Sequence, residues 1–409
     1  MKRSKKTPIA LALLTLLTIL IVPAVAGDEI EIQIATKTDL FPIPNLVFAA
    51  QGFVIFLAVL MLGLAVWSFY LTFSKNQKTP LIATVVFGVA FVASVLVWLF
   101  AGATMTLTTL LAGSLALAVP LIFGSMSGAL SERVGIINIA IEGQLLAGAF
   151  TSAVVASITD SVILGIIAAM FAGVLVASLL AVFSIKYLVD QIITGVVVNV
   201  LIIGLTSFLF STLLADNITV LNQPPRFERI SIPVLGQIPI VGPVLFNQTL
   251  IVYLMYVAVI GVFLALFKTR WGLRVRSVGE YPKASDTVGI KVFRTRYVSV
   301  MLGGALAGLG GSFFTLGQVG AFGKEMTNGA GYIALAALIF GRWNPIYAAM
   351  AALLFGFAQN LQYAVQIVGS PLPSEFLLML PYVLTVIAVA GLVGKVRGPA
   401  AAGKPYIKS

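Results

Sequence analysis

The feature that most restricts this chain is a succession of apolar stretches, each close to the length a helix needs to cross a bilayer. A hydrocarbon core about 30 Å thick takes roughly 20 residues of helix. Such stretches run near residues 8–22, 46–73, 80–101, 105–128, 134–156, 161–184, 192–214, 249–267, 297–319, 346–368 and 375–393. One more, 331–341, is too short to cross alone; followed by Gly341-Arg342-Trp343-Asn344-Pro345, it reads as a half-helix lining a cavity inside protein. The expected fold is therefore all-α, a polytopic transmembrane helical bundle of about 10–12 spans with a broken or half-helix element.

Composition agrees. Hydrophobic residues make up 60% of the chain and charged residues only 10%, which places it in the lipid bilayer rather than in water. The absence of cysteine and histidine removes thiolate nucleophiles, imidazole bases and the commonest zinc ligands. The net charge of +11 reports orientation, since basic residues collect in cytoplasmic loops, and no nucleic-acid partner is inferred from it. If the chain starts inside and crosses at each stretch, 21 of the 25 Lys and Arg fall on the cytoplasmic side, leaving Lys37, Arg226, Arg229 and Lys324 outside. That split places the C-terminus in the cytoplasm.

Four cations within Met1 to Lys6, an apolar run and Ala24-Val25-Ala26 make residues 1–26 a signal-like first span, either retained or cleaved. Residues 27–101 are then an N-terminal extension with two further spans, 102–395 the core and 396–409 a cytoplasmic tail. Of the two long loops, 215–248 carries five prolines and is expected to be extended or turn structure, and 268–296 mixes both charge signs around a helix-length piece from Pro282 to Val288. In the tail, Gly398 to Lys404 has P-loop spacing, but Pro405 stands where Ser or Thr would hold magnesium, and no strand precedes it. No ATP site is expected in this chain.

Polar groups within spans are costly and commonly face a cavity or a helix partner. The densest set is SERVGIINIAIEGQ, residues 131–144, where Asn138 and Glu142 would share a helical face at i,i+4 with Gln144 nearby. Two readings stay open: these groups satisfy a broken helix end, or they line a path for a neutral solute that needs hydrogen bonds in an apolar tunnel. A second set is Gln191, Thr194 and Asn199, entering the span from 192. Asn328 and Asn360 suggest hydrogen bonds between helices, and Gly124 to Gly128 and Gly303 to Gly308 suggest close helix packing.

The segment SERVGIINIAIEGQLLAGAF resembles the permeases of ATP-binding-cassette importers in the branched-chain amino acid and ribose permease superfamily, specifically the nucleoside-importer branch. WGLRVRSVGEYPKASDTVGI at 271–290, PIVGPVLFNQ at 239–248 and GYIALAALIFGRWNP at 331–345 resemble the same branch, in order, across about residues 102–394. The resemblance implies a permease without enzymatic activity, in a bacterial or archaeal plasma membrane, for a small neutral solute such as a nucleoside. It also implies a second permease subunit, ATPase subunits that bind the ATP and Mg, and an extracytoplasmic substrate-binding protein. Within the 271–290 match, Arg274, Glu280, Lys283, Ala284, Asp286 and Gly289 become the element coupled to the ATPase. Ala140 departs from the branch, which more often has glycine there, and residues 1–101 exceed what the core requires.

Three rivals remain. A monosaccharide or amino acid permease would share the architecture, although a carboxylate solute would favour a cation in the path, which the spans lack. In an ion-coupled transporter Glu142 would be the ion site. An intramembrane enzyme has little to work with here, since no His, Cys or paired aspartates lie within the spans.

Overall fold

A computed structural model of the chain describes residues 6–25, 29–34, 40–41, 43–368, 379 and 397–408. The expected span near 375–393 lies, apart from Met379, outside the described residues. Among the described residues, 10 helices are long and apolar enough to cross a membrane, and one shorter apolar helix accompanies them. The polytopic helical bundle with a half-helix element is thus observed. The chain divides into two compact units, described separately below.

The first unit comprises residues 1–111, 233–244 and 361–377. Its helices are α1 (Lys6–Ile21), α2 (Ala50–Phe69) and α3 (Leu81–Leu99), with α2 running on into a wider π turn over Tyr70–Ser74. Leu11 of α1 packs with Leu57, Met61 and Ala65 of α2 and Phe87 and Ala90 of α3. A small sheet accompanies them, which the hydropathy of the chain did not announce: β1 (Glu29–Gln33) lies antiparallel to β2 (Leu46–Ala49) and parallel to β3 (Thr104–Thr106). The sequence Glu-Ile-Glu-Ile-Gln alternates with the two-residue period of a strand, so one face is apolar and the other polar. Ile30 pairs with Phe48, and Ile32 with Leu46 and Met105. On the polar face the Glu31 carboxylate accepts hydrogen bonds from Asn45 Nδ2 at 2.6 Å and Thr104 Oγ1 at 3.0 Å. The stretch expected to be span from residue 46 therefore starts as strand and turns helical at Ala50.

The second unit comprises residues 112–232, 245–360 and 378–409. It receives α4 (Leu107–Arg133) and contains α5 (Ile141–Thr159), α6 (Val162–Ala181), α7 (Gln191–Leu209) and the single turn α8 (Ile218–Leu221). A two-stranded ribbon of β4 (Arg229–Ser231) and β5 (Asn247–Thr249) leads to α9 (Leu250–Lys268), then α10 (Arg270–Glu280) and α11 (Pro282–Thr287). The long helix α12 (Val292–Ser312) widens into a π turn over Phe313–Val319; α13 (Ala330–Phe340) is the half-helix, and α14 (Pro345–Val368) follows. The segment 215–248, expected to be extended or turn structure, holds no long helix, but α8, two 3-10 turns (Ala215–Asn217 and Leu235–Gln237) and a π turn (Gly242–Phe246) occupy it beside the strands β4 and β5, because turns of three to five residues fit between its prolines.

The centre of this unit is the triangle of α5, α6 and α12, and glycine makes it possible. A Cβ at Gly148 of α5 would run into the Gly308 backbone, and one at Gly173 of α6 into the Gly304 carbonyl. On α4, Gly124 and Gly128 stand one turn apart and receive Ala334 and Leu338 of α13. Lipid tails are as apolar as leucine, so helices in a bilayer associate by such close packing rather than by escape from water. Overpacking a tight core costs about 1–3 kcal/mol, and here the obstacle is backbone. The Gly173→Leu variant is therefore expected to unfold at a lower temperature than the parent in a detergent melt, with Gly261→Leu, where no atom lies within 4 Å of the added carbon, as the neutral control.

Candidate functional site

The polar residues of the 131–144 segment sit where the chain stops being helical. Helix α4 ends at Arg133 in a two-bond reverse turn: Gly135 N donates to Glu132 O at 2.9 Å and Ile136 N to Ser131 O at 3.0 Å. That pattern needs a left-handed residue after the helix, and Gly135 supplies it with φ of +91°. Residues 134–140 are irregular and α5 starts only at Ile141. This corrects the helical face expected for Asn138 and Glu142: Asn138 lies before the helix and Glu142 in its first turn. The apolar run through Val134-Gly135-Ile136-Ile137 reads as span, whereas the glycine conformation decides the backbone.

An irregular backbone surrounded by apolar side chains must find partners for its N–H and C=O groups. Helix α7 provides two of them. Gln191 Oε1 accepts from Ile137 N at 2.7 Å. Asn199 bridges the break, accepting from Gly143 N at 2.8 Å through Oδ1 and donating to Ile139 O at 2.9 Å through Nδ2. Asn138 itself, fully buried, exchanges two bonds of 3.2 Å with Gln144 and donates to Ser127 Oγ at 3.2 Å. Thr194 does not join this network; its hydroxyl donates to Asp190 O at 2.7 Å within α7, whose N-terminus the Asp190 carboxylate caps.

Glu142 reaches in the other direction. Its Oε1 accepts from Thr327 Oγ1 at 2.6 Å and Gly329 N at 2.9 Å, and its Oε2 from Gly331 N at 2.7 Å. These donors are the start of α13, where unpaired N–H groups and the helix dipole favour a negative charge. Gly329 enters the helix with φ of +80°, and a Cβ on Gly331 would strike the Glu142 backbone. At the other end of α13, Arg133 donates to Trp343 O at 3.0 Å and to Arg342 O at 3.3 Å, and the Glu132 carboxylate takes the Trp343 indole N–H. The half-helix is thus held at both ends by residues flanking one break.

Of the five residues singled out for a solute path, Asn138, Glu142, Gln191 and Asn199 come together and Thr194 stands apart. All five are buried. Sequence reasoning missed Thr327, which a polar residue just before an apolar half-helix could have signalled, and Tyr332, which looks in sequence like any aromatic. The Tyr332 hydroxyl accepts from Asn199 Nδ2 at 3.1 Å while 47% of the residue stays exposed, so it carries an open ring to the edge of the network. Among the described residues Asn328 makes no side-chain bond between helices; it sits in the irregular stretch before α13 with φ of +41°.

The second cluster is the loop of α10 and α11. Arg274, Glu280, Lys283, Ala284 and Gly289 are exposed and Asp286 half-buried. Leu273, Tyr281 and Val288 are also more than 60% exposed, so charged and apolar groups alternate over one open surface. The opposite face is fixed: Val275, Val278 and Gly279 are buried, and a Cβ on Gly279 would collide with the Arg133 carbonyl. The two helices are tied by a 2.7 Å bond between the Ser277 and Ser285 hydroxyls, and Gly289, with φ of +84°, turns the chain toward α12.

Residues 397–408 close the underside of this loop. Ala401 N donates to Gly279 O at 2.9 Å, and the buried Tyr406 ring lies 5.4 Å from Phe293 and 5.9 Å from the Arg296 guanidinium. Burial and a hydrogen bond with Asp286 hold the Tyr406 phenol above its ordinary value. Nothing in the P-loop-like spacing pointed to this; the segment contains neither helix nor strand.

Because the Glu142 carboxylate accepts three bonds, Glu142→Gln puts an amide N–H against a backbone donor. An unsatisfied buried donor costs about 1–3 kcal/mol. The variant should melt below the parent in detergent, and Glu142→Ala lower still; equal melting of all three would show that α13 does not depend on this carboxylate.

Residues 110–389 match the family described as branched-chain amino acid transport system / permease component. The guanosine ABC transporter permease protein NupQ of Bacillus subtilis is 39% identical over 320 residues, 74% of this chain and 97% of that protein. The nucleoside ABC transporter permease protein NupC of Lactococcus lactis is 40% identical over 313 residues, 74% of this chain and 98% of that protein. A putative glucose ABC transporter permease protein of Haloferax volcanii is 33% identical over 253 residues, 61% and 75% of the two chains. No solved structure matches.

Proposed function

Because the chain belongs to the branched-chain amino acid transport system permease family, we propose that it is the permease subunit of an ATP-binding-cassette importer whose solute is a nucleoside. The observation that carries the solute class is the likeness, over 74% of this chain, to two relatives named for guanosine and nucleosides. A monosaccharide is the second reading, favoured by the more distant likeness to a putative glucose permease. The chain is a transport subunit; ATP and Mg belong to ATPase subunits, and a second permease and an extracytoplasmic binding protein complete the importer. It sits as a multi-pass protein in a plasma membrane with its C-terminus in the cytoplasm, on the side that collects the Lys and Arg.

In this reading the network of Asn138, Glu142, Gln191 and Asn199 frames the path, with Thr194 on the same helix, and Tyr332 presents the surface a solute meets. A nucleobase has a π face, and an exposed tyrosine ring suits it. Coupling runs through Arg274, Glu280, Lys283, Ala284, Asp286 and Gly289. Displacement of α10 by a closing ATPase would press on the Arg133 carbonyl through Gly279, one residue from the start of the break. The break, pinned to α7 and α13, then passes the movement to those helices as bodies rather than dissipating it in a loop.

Uptake of labelled guanosine, adenosine, uridine and ribose into vesicles bearing the permease with its partner subunits tests the assignment. Nucleoside uptake that requires ATP, without ribose uptake, is expected. Ribose uptake alone would move the solute to the sugars, and uptake driven by a proton gradient without ATP would remove the importer reading.

Two variants test the parts. Base stacking on an aromatic is worth about 1–3 kcal/mol, so Tyr332→Ala should raise KM for guanosine about tenfold while Tyr332→Phe changes it little. Charge reversal by Arg274→Glu with Glu280→Lys should leave ATP hydrolysis running without uptake; normal transport by that double variant would discard the coupling assignment.

A further inference from the structure

Below the membrane end of α12 lies a cavity of about 650 Å³, lined by Trp271 and Arg274 of α10 and by Val288, Gly289, Ile290, Lys291, Arg294, Thr295 and Val298. Lys291, Arg294, Thr295 and Val298 are spaced at i, i+3, i+4 and i+7, one face of a helix, and Trp271 and Arg274 at i, i+3 on the helix opposite. The lining holds three cations and no carboxylate. Among the described residues Arg274, Lys291 and Arg294 have no acidic partner: the nearby Glu280 carboxylate accepts from Ala400 N, and Asp286 bonds Tyr406. The same face of α12 continues upward as Val298 and Leu302, which are 38% and 47% exposed. A cationic hollow thus opens directly beneath an apolar stripe of a membrane span.

We propose that this cavity binds the phosphate headgroup of an anionic bilayer phospholipid, with Arg274, Lys291 and Arg294 around the phosphate and an acyl chain along Val298 and Leu302. A soluble anion would use the cations and Thr295 but would gain nothing from Val288, Ile290, Val298 and the stripe above. A zwitterionic lipid would use the stripe and offer its phosphate, but would bring its own ammonium into a hollow that already holds three cations. Trp271 stands where membrane proteins place aromatic rings, at the headgroup level, and cationic hollows beside spans are suited to acidic headgroups. The site spans the turn at Gly289 between the coupling loop and α12, so an occupied cavity braces α10 against α12.

The full-length chain, purified in detergent with any subunits that copurify, is relipidated with dioleoyl phosphatidylglycerol or dioleoyl phosphatidylcholine, and retained lipid is counted by native mass spectrometry. The parent is expected to retain the glycerol lipid several-fold over the choline lipid. Lys291→Gln with Arg294→Gln should erase that preference, whereas Lys291→Arg with Arg294→Lys keeps it, and circular dichroism should show equal helix content in all three. Equal retention of both lipids by the parent, or a preference that survives the neutral variant, overturns the proposal. Displacement of the lipid by millimolar inorganic phosphate would reassign the site to a soluble anion. Loss of copurifying subunits from the neutral variant with lipid preference unchanged would reassign it to a protein interface.

Discussion

The half-helix α13 is 11 residues long, about half a membrane span, and each of its ends is tied to residues beside the break between α4 and α5. Each end of a helix leaves backbone groups unpaired, with a partial positive charge at the start and a partial negative charge at the finish. Here the carboxylate of Glu142 meets the start, and the guanidinium of Arg133 holds the carbonyls of Arg342 and Trp343 in the turn that ends the helix. These two residues flank the single irregular stretch between α4 and α5. The geometry is mutual: the break brings two opposite charges to the right separation, and α13 gives both a partner. Remove the half-helix and a carboxylate is left without donors in apolar surroundings; straighten the break and the charges no longer bracket anything.

That arrangement leaves the polar residues of this region holding backbone and neighbouring side chains. Every side-chain oxygen and nitrogen of Asn138, Asn199 and Glu142 is spent on holding backbone or a neighbouring side chain. Under the proposed function, a path framed in this way has a fixed outline, and a change of access comes from moving whole helices. The packed glycines of α5, α6 and α12 support the same behaviour, because backbones in direct contact slide or rotate as units. The loop of α10 and α11, bonded to itself through Ser277 and Ser285 and seated on the end of α4 through Gly279, is a stiff extension of that body.

Hydropathy made the spans legible, and length alone singled out α13, because an apolar run of 11 residues followed by Gly-Arg-Trp-Asn-Pro has only one economical use in a bilayer. The ends of elements were less legible. Val134 to Ile137 is apolar enough to continue a helix, so the break at Gly135 was hidden: a glycine in a membrane helix more often serves packing than a left-handed turn. The sheet of the first unit escaped notice because β2 is as apolar as the span it precedes, and β3 is three residues long. Candidate residues were found by type, since polar groups in lipid are rare, yet their partners were not, because Thr327, Gly331 and Tyr332 lie far along the chain. The docking of Tyr406 had no periodic signal at all.

The separation between Glu142 and Gly331 is 189 residues, and it sets an order of assembly. Helix α5 is made before four further spans, α6, α7, α9 and α12, so its carboxylate waits for the hydrogen-bond donors that come with α13. During that interval the first turn of α5 is best kept near water or among other polar chains. Arrival of α13 then consolidates α4, α5 and α7 in one step. This part of the permease is locked together late, when its half-helix is inserted.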